Sequence, residues 1–145
     1  MSSPCLFCAI AAGEQPAHIL HQDDEVVAFL DIFPIHAGHA LVIPRAHHVW
    51  FEDMPPELAG RVVEVSQRIA RAMKAEYGVQ RVAMAFTGIH VPHAHAHLVP
   101  MYHIHDVTST AYLGEDRDSF RQPPMLDGTI LAEHATRLRQ RLTGA

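Results

Sequence analysis

The segment His93-Ala94-His95-Ala96-His97-Leu98-Val99 carries an imidazole at every second position. On a β-strand a period of two puts all three rings on one face, with Ala94, Ala96 and Leu98 on the other. A helix with the same spacing would turn His95 away from His93 and His97, and Pro92 and Pro100 leave little room for one. Three aligned imidazoles backed by small residues are hard to justify as packing, because Ala fills little volume and each ring needs hydrogen-bond partners. Two chemistries suit them: a metal held by all three rings, or a nucleophilic His flanked by two His that bind an anion. Of the 13 His in the chain, ten lie in two stretches, 36–48 and 90–105, far more than a core requires. The only two Cys, Cys5 and Cys8, have a Cys-x-x-Cys spacing. That spacing suits metal ligation or redox exchange better than a disulfide framework.

The elements that must position these residues are legible from periodicity. Ser3 can cap a short N-terminal helix with Pro4 in its first turn; Cys5 and Cys8 then share a face, and Gly13 ends the helix. Residues 18–22 and 25–32 read as strands of a hairpin about Asp23-Asp24, and Leu41-Val42-Ile43, ahead of Pro44, as a third. From Pro55 to Gly78 the apolar residues Leu58, Val62, Val65, Ile69 and Met73 recur at helical spacing, ringed by Arg61, Glu64, Arg68, Arg71 and Lys74. Strands are expected again at 81–87 and at 94–99, the latter bounded by Pro92 and Pro100. Residues 101–124 hold few periodic positions and read as an irregular loop able to cover the site. Leu131, Ala135, Leu138 and Leu142 mark a last helix with Arg137, Arg139 and Arg141 on a solvated face. Antiparallel strands in this order with helices predict an α+β fold.

The 145 residues suffice for one core and one domain spanning 1–145, and 48% hydrophobic with 19% charged residues is a globular composition. Eleven Lys and Arg against 16 Asp and Glu, a net charge of -5, give no general attraction to nucleic acid or to an anionic membrane. An anionic ligand therefore needs a local site. No run approaches the roughly 20 apolar residues of a membrane helix, and MSSPCLFCAI lacks the features of a secretory signal. A cytoplasmic protein with reduced thiols is expected.

HAHAHLV, downstream of CLFCAIAAGEQPAHILHQDDEVVAFLDIFPIHAGHALVIPRAHH, resembles the His-φ-His-φ-His-φ-φ motif and N-terminal half of the histidine triad (HIT) superfamily, Hint branch. The similar stretches cover residues 4–101, leaving a tail and the last helix at 102–145. The resemblance implies a five-stranded antiparallel sheet, a homodimer, and a nucleotidyl hydrolase or transferase acting on purine nucleoside phosphoramidates or related conjugates. It makes His95 the nucleophile toward the α-phosphorus, with its second nitrogen held by the His93 carbonyl, and makes His97 and His39 the contacts to phosphate oxygens. Asp31 matches the ribose-binding position, and Phe29, Ile32 and Leu41 lie where apolar residues surround the base. Some bacterial members pair the two thiolates with two His, which implies a structural zinc on Cys5, Cys8, His47 and His93, with His48 adjacent as the alternative to His47. Magnesium is not expected to be required. The segment AFTGIHVPH departs from the family: the Asn-x-Gly loop and Gln are missing, and His90 stands where a leaving-group Ser is usual. His103 and His105 are expected at the surface. Two rival functions are a hydrolase with zinc on the His triplet and a nucleotide-binding interaction module with little turnover.

Overall fold

A computed structural model describes residues 5–88, 90–104, 106–107 and 123–144. Strands β1 (Ile19–Gln22), β2 (Val26–Leu30), β3 (Ala40–Pro44), β4 (Arg81–Phe86) and β5 (Ala96–Met101) form one antiparallel sheet in the order β1-β2-β3-β5-β4. Helices α1 (Leu6–Ala11), α2 (Pro56–Tyr77) and α3 (Gly128–Thr143) complete the fold, which is the expected α+β class. The Asp23-Asp24 turn behaves as its sequence indicates. Asp23 Oδ1 accepts the backbone N–H groups of Glu25 and Val26 at 2.8 and 2.9 Å, an Asx turn that joins β1 to β2.

Two apolar layers sandwich the sheet. On one face Val26, Ala28, Leu30, Ala40 and Val42 meet Val62, Val65, Ile69 and Met73 of α2, and Leu131, Ala135 and Leu138 of α3. On the other, Val27, Phe29, Leu41 and Ile43 pack with Cys5 and Phe7 around α1. Every residue of β2 and β3 is accordingly buried, as strands covered on both faces must be. Of the stripe predicted for α2, Val62, Val65, Ile69 and Met73 are buried and Leu58 is half-buried, and the helix ends at Gly78, a left-handed cap with φ +68°.

Several boundaries differ from the sequence expectation. The last strand runs over 96–101 and not 94–99, so Pro100 and Met101 lie inside β5. β3 begins at Ala40, opposite Leu98, so at Pro100 the β3 side of β5 is open and a missing N–H costs no ladder bond there. The alternation read from HAHAHLV nonetheless holds: Ala94, Ala96 and Leu98 join the α2 core. α1 has Cys5 as its N-cap, and the proposed Ser3 and Pro4 start lies outside the described residues, as do His105 and 108–122 of the expected irregular loop. Gly13, at φ +77°, ends that helix by donating its N–H to the Ile10 carbonyl. The basic face of α3 is not merely solvated: Arg139 donates to the Ile19 carbonyl at 2.8 Å, and Arg141 pairs with Glu76 at 3.2 Å. These contacts tie α3 to β1 and α2.

Candidate active site and metal centre

β5 sits between β3 and β4, with Leu41 and Ala85 directly opposite His97. This register brings His39, the residue just before β3, against the end of the triplet. His39, His95, His97 and Asp31 line one side of a cavity of about 1090 Å³. Phe29, Ile32 and Leu41 line the same cavity, with Leu6, Phe7 and Ile10 contributed by α1. His90 also lines it, so the structure gathers every residue assigned to substrate in the sequence.

The hydrogen bonds fix the tautomers of three imidazoles. His95 Nδ1 lies 2.6 Å from the His93 carbonyl oxygen, so it is the protonated nitrogen and Nε2 keeps the lone pair. The backbone N–H of Ile35 donates to His39 Nδ1 at 3.1 Å, which places the proton of neutral His39 on Nε2. That Nε2–H donates to His97 Nδ1 at 3.0 Å, and His97 therefore carries its own proton on Nε2, 3.3 Å from Thr87 Oγ1. A one-way chain of donors thus runs from His39 through His97 to Thr87, and the His97 ring centroid is 4.9 Å from that of His95.

The loss of hydration disfavours a charge on all three rings: His39 and His95 are buried and His97 is half-buried. Burial pushes His95 below the ordinary imidazole value, opposed by its bond to the His93 carbonyl and by Asp31. Burial lowers His39 as well, with Asp31 opposing and the neighbouring His36 and His95 adding to the shift. His97 falls to about 4, through burial and then through His95 and His39. In the unfolded chain this ring takes a proton below pH 6.5, whereas in the folded protein it refuses one until about pH 4. Stability contributed by neutral His97 is therefore full above pH 6.5 and falls with pH through that window, by about 3 kcal/mol at its lower end. Urea unfolding of wild type and His97→Gln at pH 7 and pH 4.5 should show a smaller acid loss in the variant. Equal losses would place the acid sensitivity elsewhere.

His93 faces a different partner set, so the triplet is divided between two centres. Its Nδ1 lies 3.5 Å from Cys5 Sγ, 3.4 Å from Cys8 Sγ and 3.3 Å from His47 Nδ1, and Cys8 Sγ is 3.2 Å from His47 Nδ1. A tetrahedral zinc with bonds of about 2.3 Å to sulfur and about 2.0 Å to nitrogen sets S···N edges near 3.5 Å and N···N edges near 3.3 Å. The four side chains fit that ion. His93 Nε2 donates to the Pro44 carbonyl at 2.8 Å, which leaves Nδ1 unprotonated, the arrangement a metal-ligating His requires. His47, though exposed, joins this group; the half-buried His48 does not, and its carbonyl accepts the Ala94 N–H.

Ligand atoms of Asp31, His39 and His97 also lie within 4.8 Å of one another. The Ile35 N–H makes this group a poor cation site: a neutral His39 must keep its proton on Nε2, the nitrogen that would have to coordinate. Zinc on the triplet itself is overturned by the geometry, since His93 Nδ1 turns to the cysteines while His95 Nδ1 is held by a carbonyl. Sequence reasoning missed Phe7, whose ring stands edge-on to His95 at a centroid distance of 5.0 Å, and Thr87 beside His97. An aromatic lying inside the Cys5-x-x-Cys8 segment was the available signal for Phe7. Nothing in AFTGIH marks its Thr.

The fold and the paired centres define a histidine-triad protein, and the chain belongs to the HIT domain family, with residues 12–104 matching it. It is 42% identical over 102 residues to a HIT-like protein of Mycobacterium tuberculosis, a match covering 67% of this chain and 71% of that one. With the adenosine 5'-monophosphoramidase of Saccharomyces cerevisiae it shares 36% identity over 101 residues, 69% of this chain and 64% of the yeast protein. The crystal structure of a Zn-bound histidine triad family protein from Mycobacterium smegmatis is 33% identical, with a TM-score of 0.76 over 99% of this chain and 96% of that one.

Proposed function

We propose that the chain is a nucleotidyl hydrolase that cleaves nucleoside phosphoramidates or related nucleotidyl conjugates through a covalent intermediate on His95. The observation that carries this reading is the 2.6 Å bond from His95 Nδ1 to the His93 carbonyl, which leaves Nε2 as a neutral nucleophile in the cavity. Its lone pair attacks the α-phosphorus, the bond from phosphorus to the leaving group breaks, and a nucleotidyl-histidine forms. Water then attacks the same phosphorus, returns the lone pair to His95 and releases a nucleoside monophosphate. The His97 Nε2–H, backed by His39, donates to the phosphoryl oxygens as charge builds on them. Similarity to the yeast monophosphoramidase supports the substrate class.

The remaining roles follow from position. Asp31 Oδ1 accepts the Phe33 N–H at 2.8 Å, which orients the carboxylate at the cavity wall where it would take ribose hydroxyls. Phe29, Leu41 and Ile32 supply the apolar wall for a purine base. His90 lines the same cavity on the approach to the triplet, and we assign it to the leaving group. Cys5, Cys8, His47 and His93 would hold a structural zinc, which organises the fold around α1 and takes no part in the chemistry. The donor chain supplies the phosphate contacts, so the reading asks for no magnesium. β4 is an edge strand with Met84 exposed, and there we place the contact of a homodimer. No helix among the described residues is long and apolar enough to cross a membrane.

The test is to incubate the protein with adenosine and guanosine phosphoramidates and dinucleoside polyphosphates, follow monophosphate release, and quench early for mass spectrometry. Release from at least one conjugate, with a nucleotidyl group on the peptide containing His95, is expected. Tight nucleotide binding with no release from any member would favour the interaction module.

A further inference from the structure

His39 is carried by a turn whose geometry depends on a residue far away in the chain. Its own N–H donates to the His36 carbonyl at 3.0 Å, and Ile35 N–H reaches its ring, so residues 35–39 wrap the imidazole. The turn needs a left-handed residue at Gly38, where φ is +95°. Gly38 is also pressed against the ring of Tyr77, the last residue of α2. A Cβ at Gly38 would sit 2.5 Å from the Tyr77 hydroxyl oxygen and 2.6 Å from Cζ, so ring and turn are in direct contact. The Tyr77 hydroxyl in turn lies 2.7 Å from Nδ1 of His134 on α3, and the two rings stack at a tilted 5.6 Å. Burial raises the phenol and depresses His134, so the two form a hydrogen bond between neutral groups.

We infer that Tyr77 is a positioning residue for His39 and that His134 makes the C-terminal helix α3 part of the active-site architecture. Residues 12–104 match the HIT domain, and α3 at Gly128–Thr143 lies beyond them. The helix nonetheless reaches the donor chain through one side-chain bond. The route is His134 to Tyr77, Tyr77 to the Gly38 backbone, and Gly38 to His39, whose Nε2–H supports His97. The ring edge against a glycine limits how far the turn can move toward it, and the bond to His134 holds the ring in place.

The kinetic side of this inference rests on the proposed hydrolase reading, so its primary readout is independent of activity. In protein labelled with 15N-histidine, the His39 Nε2–H signal, assigned by its loss in His39→Gln, should be protected from solvent exchange. Tyr77→Leu should speed that exchange by about tenfold and lower kcat by about tenfold, with KM within about twofold, because a sub-ångström shift of a catalytic donor acts on the transition state. His134→Leu should show the same changes at smaller size, and Tyr77→Phe, which keeps the ring, should lie closest to wild type. If Tyr77→Leu does not fold, His134→Leu decides alone. Unchanged exchange of the His39 proton in a folded Tyr77→Leu or His134→Leu would overturn the inference and leave Tyr77 as ordinary core. If wild type turns over no nucleotidyl conjugate, the hydrolase reading fails, while the exchange measurement still decides the role of Tyr77.

Discussion

Replacing His95 with Ala should lower turnover of a nucleoside phosphoramidate by about 10⁴-fold or more, while nucleotide Kd stays within a small factor. The substitution removes the attacking Nε2 and leaves the proposed nucleotide contacts in place: the Asp31 carboxylate, the Phe29 and Leu41 walls, and the His39 to His97 donor chain. Water entering the space left by the ring is a weaker nucleophile and is not held by the His93 carbonyl in an attacking orientation. The donors at His97 still stabilise charge on the phosphoryl oxygens, so a small residual rate should persist above the uncatalysed one. The variant should also lose some stability, since His95 is buried and packs edge-on to Phe7. Kinetics are therefore best measured well below its melting temperature, beside isothermal titration with a nucleoside monophosphate. A near-wild-type rate in His95→Ala would falsify the covalent mechanism. Loss of binding along with turnover would instead place His95 among the nucleotide contacts.

Much of this centre was legible from spacing alone, and the reason is geometric. In HAHAHLV the two faces of a strand are written directly into the residue types, so the burial of Ala94, Ala96 and Leu98 against α2 follows without knowledge of any partner. The stripe on α2 and the Asp23 turn are equally local. What depends on a second segment was less visible. Pro100 looked like a strand end because its missing N–H matters only where a neighbour needs it, and the register of β3 against β5 decides that. Adjacent His47 and His48 are indistinguishable as zinc ligands until the loop after β3 fixes which ring turns toward Cys8. The division of the triplet between the Cys5–Cys8–His47 cluster and the His39 donor chain also depends on tautomers, and those are set by the carbonyls of Pro44 and His93 and the N–H of Ile35. Tyr77 against Gly38 joins residues 39 positions apart, and no periodicity marks such a contact.

The second large effect concerns the metal centre. Protein purified without chelator should contain one zinc per chain, and Cys5→Ser, Cys8→Ser or His47→Ala should remove it and lower Tm by about 10 °C. The size of the loss follows from what α1 lacks. At six residues the helix is far too short to be stable alone, and its N-cap makes no side-chain bond. It is held by the apolar contacts of Phe7 and by the four-ligand cluster that joins it to the loop after β3 and to the approach to β5. Without the ion, two thiols and two imidazole nitrogens at 3.2 to 3.5 Å are joined only by weak S–H···N bonds in place of four metal bonds. The consequences for activity should be graded. Leu6, Phe7 and Ile10 of α1 line the cavity that holds His95, so KM should rise severalfold, while kcat at low temperature falls less, because His95 keeps its bond to the His93 carbonyl. His48→Ala is the control: its ring is outside the cluster, so zinc content and Tm should match wild type. Elemental analysis showing no zinc in the purified wild type would reject the site, and loss of zinc in His48→Ala with retention in His47→Ala would reject the ligand assignment.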